Sequence, residues 1–264
     1  MQTTWTLFSV FGIPVRVNLS VGVLALYLMV NVGNFAVGAF LVVALLISIL
    51  LHELAHSVVA MAFGGRVRDI TLQLLGGCAA ITRMPPKPWQ ECLMAAAGPA
   101  CSLLLAAGAW LGATALATAQ LAGYDILGRE VWVSRPNVWL TLAAMLNLGL
   151  ACFNLVPAFP MDGGRILRSL LEAAGKMGKV RATEIAVGVG RGFAVLWAAV
   201  SVLSFMGVRL RVPEGLPEAA AFLWDIVFGG GGLLLLCIAG MIWVAGKREL
   251  DYVRAEAAYY GGWR

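Results

Sequence analysis

The segment Ile47 to Phe63 reads ISILLHELAHSVVAMAF and sets His52-Glu53-Leu54-Ala55-His56, an HExxH pattern, inside an otherwise apolar run. On an α-helix the i, i+4 spacing places the two imidazoles one turn apart on the same face, where both can reach one zinc ion. Glu53, about 100° further round the helix, borders that face and can accept a proton from an attacking water. HExxH also arises by chance in helices with no metal. Two features weigh against chance here. The chain has 2 histidines, and both belong to this pattern. A glutamate within a membrane helix costs about 2.5–3.5 kcal/mol on insertion scales, so it demands a partner or a function.

The whole composition supports a membrane setting for that helix. Of 264 residues, 61% are hydrophobic and 12% charged, and the mean hydropathy is +0.86; soluble domains average roughly 45–50% apolar and 25% charged. No long polar stretch remains for a separate soluble domain, so residues 1–264 are expected to form a single transmembrane domain with an N-terminal extended segment over 1–18. Apolar segments suited to helices run approximately over Leu19–Met29, Phe35–Phe63, Leu93–Leu121, Val138–Val156, Ile185–Met206 and Ala219–Val244. A span needs about 20 residues. The expected fold is therefore a polytopic α-helical membrane protein with about six transmembrane helices.

Two further stretches read as extended: Thr4 to Asn18, and VRDITLQLLGGCAAI from Val67 to Ile81, with β-branched residues at 67, 70, 71 and 81. They predict a small β-sheet on the cytoplasmic side. Gly76-Gly77 marks a bend or a close backbone approach. The first residues lack the charged start and cleavage site of a signal peptide, so the N-terminus is expected to be retained.

The net charge of +5 and pI near 9.1 could suggest nucleic acid as a partner, but the basic residues sit in short loops and at the C-terminus. Arg66, Arg68, Arg83 and Lys87, then Arg165 to Arg181, then Lys247 to Arg264 fall on one side; Arg129, Arg135, Arg209 and Arg211 fall on the other. The positive-inside rule then puts both termini in the cytoplasm of a multi-pass cell-membrane protein. The expected partners are membrane lipid and no nucleic acid. The 5 cysteines never form CxxC and read as small apolar residues rather than a disulfide framework.

Catalytic zinc usually takes three protein ligands and leaves one position open. With no third histidine, a carboxylate is the natural candidate. Asp162 stands out within Asn154-Leu-Val-Pro-Ala-Phe-Pro160-Met-Asp162-Gly-Gly164, where prolines and glycines impose an irregular backbone just beyond an apolar span. Such backbone survives at membrane depth only when buried or lining a wet cavity. The plainer account makes Asp162 the N-cap of a helix beginning near Gly164. Asp225, beside the FGGGG run at 228–232, is a rival ligand.

Taken together, HELAH, LLGGCAA at 74–80, AAAGP at 95–99 and FNLVPAFPMDGGRILR from Phe153 to Arg168 resemble the site-2 proteases, intramembrane zinc metalloproteases, in their prokaryotic six-span branch without a PDZ insertion. The resemblance implies that His52, His56 and Asp162 bind one zinc ion, that Glu53 is the general base, and that Asn154 positions substrate or stabilises the oxyanion. It further implies that a single-span membrane protein is unwound and cut near the cytoplasmic side in regulated intramembrane proteolysis, with a regulatory membrane protein as a further partner. The competing class is a zinc-binding transporter or an inactive membrane scaffold. A transporter would be expected to carry further intramembrane acids or histidines and internal repeats, and a scaffold could dispense with Glu53.

Overall fold

The computed structural model describes residues 4–32, 34–73, 76–83, 87–121, 136–175, 177–208, 215 and 232–261. They form strands β1 (Thr4–Val10) and β2 (Ile13–Asn18), helices α1 (Ser20–Asn31) and α2 (Phe35–Ala62), strands β3 (Arg66–Gln73) and β4 (Gly76–Arg83), and helices α3 (Pro88–Leu121), α4 (Pro136–Asn154), α5 (Asp162–Gly175), α6 (Lys179–Phe205) and α7 (Gly232–Gly261). The described residues are thus mostly helical, with one small sheet. Two compact units emerge, residues 1–85 with 97–151, and residues 86–96 with 152–264.

In the first unit the sheet order is β1-β2-β3-β4. β1 and β2 make a hairpin closed by Phe11 and Gly12, both at positive φ, which matches the right-handed twist of the flanking strands. β2 runs parallel to β3, Val15 opposite Ile70, and β3 antiparallel to β4, Ile70 opposite Ala79. The extended reading of Thr4–Asn18 and Val67–Ile81 thus corresponds to these four strands. Ile13, Val15, Ile70 and Leu72 bury one face of the sheet with Ile49 of α2, so the sheet packs on the helix that carries the histidines.

α2 starts where the Asn34 side chain accepts from the amides of Ala36 and Val37, and it stops at Phe63, followed by Gly64 at φ +78°. Its 28 residues extend about 42 Å at 1.5 Å per residue. Lower along it, Ser48 accepts a hydrogen bond from Asn147 of α4 at 2.9 Å, both side chains buried.

The second unit packs α6 on α7 through Trp197, Val200, Leu235 and Ile242, with Ala194 and Ala239 allowing close approach. Ala158 and Met161, from the segment before α5, join this core. α5 is pinned by Arg168, whose buried guanidinium donates to both Glu91 and Glu249 and lies 5.3 Å over the Phe159 ring. Burial works against its charge, but the two carboxylates outweigh this and hold its pKa above the ordinary arginine range. Removing one member of such a cluster leaves buried charge uncompensated, so Arg168→Met should cost about 3–5 kcal/mol, read as an earlier unfolding transition in an SDS titration.

Among the described residues, four helices are long and apolar enough to cross a membrane: Phe35–Ala62, Pro88–Ala117, Asn137–Asn154 and Lys179–Phe205. They match the second to fifth expected segments. The first expected segment is a helix of 12 residues, about 18 Å long, shorter than a hydrocarbon core of about 30 Å. The sixth lies partly outside the described residues. Its described part, α7, continues past Val244 to Gly261 through charged residues, where the sequence had suggested that the last span ends.

Candidate metal centre

His52 and His56 are both buried, 3% and 6% exposed, with ring centroids 4.8 Å apart and planes crossed at 80°. Gly98 of α3 leaves their Nε2 edges clear. A Cβ there would stand 2.6 Å from His52 Nε2 and closer still to His56 Nε2. One turn on, on the same face of α3, fully buried Ser102 places its Oγ 2.9 Å from His52 Nδ1. Were Nε2 to hold an ion, Nδ1 would carry the ring proton and donate a hydrogen bond to Ser102 Oγ. An outer contact of this kind fixes the tautomer and ring plane of a ligating imidazole, and its loss typically costs 10–100-fold in metal affinity. Ser102→Ala should therefore weaken zinc binding by about that factor in chelator competition, with Ser102→Thr restoring most of it; unchanged affinity would exclude the role.

Glu53 is half-buried. Its Oε2 accepts the Ala79 backbone N–H of β4 at 3.0 Å; among the described residues Oε1 has no partner. Gly77 makes this approach possible. A Cβ there would meet Glu53 Cγ at 2.5 Å and Ile49 Cγ2 at 2.8 Å. The Gly76-Gly77 pair thus includes the close backbone approach expected from the sequence, and its neighbour is the motif's own glutamate.

Asp162 is the first residue of α5 and half-buried, so the helix begins at the aspartate itself rather than near Gly164. The segment before it is a series of tight turns, with Ala158 N–H donating to Val156 O at 2.7 Å and Met161 N–H to Ala158 O at 2.9 Å. Any side chain at Gly163 would overlap the carbonyl oxygens of Leu155 and Val156, and a Cβ at Gly164 would lie 2.7 Å from the Ala158 carbonyl carbon. Both glycines are therefore required by backbone packed on backbone. Asn154 is the last residue of α4.

The ligating atoms of His52, His56 and Asp162 all lie within 4.8 Å of one another. Two imidazole nitrogens and one carboxylate oxygen are a donor set that catalytic zinc takes, leaving one position open, and Gly98 keeps side-chain atoms away from the Nε2 atoms of both rings. The rival ligand Asp225 lies outside the described residues. Ser102, Gly98 and the Ala79 amide were not assigned roles from the sequence. A small residue followed by serine four positions later on a membrane helix was the available signal for the first two; the amide had none.

Residues 40–126 and 125–197 match peptidase family M50, and the chain belongs to that family. It is 34% identical to the zinc metalloprotease of Methanocaldococcus jannaschii over 217 residues, which are 80% of this chain and 58% of that protein. A relative from Synechocystis is likewise 34% identical over 84% of this chain and 55% of its own, so the chain spans little more than half the length of these two relatives. Stage IV sporulation protein FB of Bacillus subtilis is 29% identical over 124 residues, 47% of this chain and 37% of its own. Among solved structures, the site-2 protease from Methanocaldococcus jannaschii superposes with a TM-score of 0.60 at 26% identity, covering 94% of this chain and 95% of that one.

Proposed function

We propose that the protein is an intramembrane zinc metalloprotease of the site-2 protease type, hydrolysing a peptide bond in or near a transmembrane helix of a membrane-bound substrate in regulated intramembrane proteolysis. The observation that carries this reading is the meeting of the His52, His56 and Asp162 ligating atoms, two of them from the motif that also carries Glu53, in a chain with no other histidine. The names of the Synechocystis and Methanocaldococcus relatives and of the solved structure, three proteases, support the same activity.

His52, His56 and Asp162 are the zinc ligands in this reading. Bound zinc supplies a Lewis acid that polarises the scissile carbonyl and lowers the pKa of water toward about 7. Glu53 accepts the proton of the attacking water on Oε1 while Ala79 N–H holds Oε2, and it then passes the proton to the leaving amine. The Asn154 amide donates to the developing oxyanion, a kind of contact typically worth about 10²–10³ in rate. β4 is the terminal strand of the sheet order, and an unwound substrate pairs with it near Gly76-Gly77 by strand addition.

The finer topology belongs to the same proposal: residues 1–264 act as one domain with six spans in the cell membrane, both termini and the sheet on the cytoplasmic side. The substrate is a single-span protein, and a membrane protein regulates the cut. The purified chain should cleave a membrane-tethered single-span reporter, lose that activity on chelation and regain it with added zinc. A zinc transporter would instead move zinc across a vesicle wall and leave the reporter whole. Undiminished cleavage by demonstrably metal-free protein would end this proposal.

A further inference from the structure

A cavity of about 320 Å³ opens beside the segment that leads into Asp162, lined by Phe159, Pro160, Arg165, Arg248, Glu249 and Tyr252 together with Ala245. Its lining carries two arginines against one glutamate. Among the described residues, Arg16, Arg68, Arg168, Lys179, Arg181 and Arg254 each meet a carboxylate, whereas Arg165 and Arg248, like Arg66, Lys87, Arg191 and Lys247, meet none; Arg165 and Arg248 are the two that share a cavity. The one acid in the lining, Glu249, is committed to Arg168. Two guanidiniums, Arg165 half-buried and Arg248 exposed, therefore face the cavity with their donors unspent, above an apolar wall of Phe159 and Pro160.

The cavity's level in the membrane identifies what it meets. From Gly232 to Gly246 α7 carries no charged residue, and Lys247-Arg248-Glu249 begins its charged half. The lining residues of α7 are Ala245 to Tyr252, the turns where the helix leaves hydrocarbon for the headgroup zone. Anionic phosphates are concentrated there on the cytoplasmic leaflet, and the guanidinium fork matches a phosphate bidentately.

We infer that this cavity binds the phosphate of an anionic lipid headgroup through Arg165 and Arg248, and that the bound headgroup steadies the segment carrying Asp162. Phe159 and Pro160 precede that aspartate by three and two residues, and Arg165 follows it by one helical turn. The inference rests on the membrane reading but not on catalysis.

The test is native mass spectrometry of the full chain released from micelles containing phosphatidylglycerol and phosphatidylcholine. The unaltered protein should retain a phosphatidylglycerol adduct that R165Q/R248Q loses at least tenfold, that R165K/R248K keeps in part, and that the equally charge-reduced R66Q/K247Q keeps in full. Zinc affinity, measured by chelator competition, should rise on adding phosphatidylglycerol in the unaltered protein and not in R165Q/R248Q. Displacement of the adduct by millimolar inorganic phosphate would assign the site to free phosphate as well as to lipid. Equal adduct loss in R66Q/K247Q, or no preference over phosphatidylcholine, would overturn the inference. If reporter cleavage failed while the adduct pattern held, the protease reading would fall and this one would stand.

Discussion

Glu53→Gln should leave one zinc per chain and lower reporter cleavage by about 10²–10⁴, the range that a positioned general base contributes. Glutamine keeps the length and shape of the side chain, and its amide oxygen can still accept the Ala79 N–H that holds Glu53 Oε2. What it cannot do is take a proton. The local packing against Gly77 and Ile49 is preserved, so lost activity with retained zinc isolates the proton transfer from folding and from metal binding. Cleavage assays and zinc analysis on the same preparation provide both readings. Undiminished cleavage would remove Glu53 from the chemistry.

Asp162→Ala should have the opposite signature on zinc. It deletes one of the three donors whose atoms lie within 4.8 Å of one another, and the two histidines left on α2 make an incomplete set for a structural or catalytic site. The loss of affinity should exceed the 10–100-fold expected for an outer contact such as that of Ser102, and cleavage should fall with it. The helix should survive, because the turn before it is held by backbone bonds among Val156, Ala158 and Met161 and α5 remains clamped by Arg168. Wild-type zinc affinity in Asp162→Ala would mean that another carboxylate, Asp225 first among them, completes the set.

These two experiments divide along the line between what was legible in the sequence and what was not. The two histidines and Glu53 could be read directly, because an i, i+4 pair on a helix is a local geometry that five residues specify by themselves. The strands around Val15 and Ile70 were legible for a similar reason, since alternation and β-branched residues speak for extended chain. Helix boundaries within the apolar segments came within two residues for α2 and α4, whereas α6 ends one residue from the expected end but begins at Lys179, before the expected Ile185, because its first turns are polar. The run from Gly232 did not follow suit, because hydropathy registers where lipid ends and α7 continues as a helix beyond that point.

The residues of this chain by themselves determined a lipid-borne helical protein whose histidines share one helix face, because periodicity and hydropathy act over a few turns. They left Asp162 undecided between a helix cap and a ligand, since nothing local distinguishes the two. Tertiary structure alone decided that its carboxylate lies near both imidazoles, that Ser102 meets His52, and that β4 reaches Glu53. Each of these joins residues at least 26 positions apart, and contacts over such separations are set by how helices and strands pack, which short-range patterning does not encode.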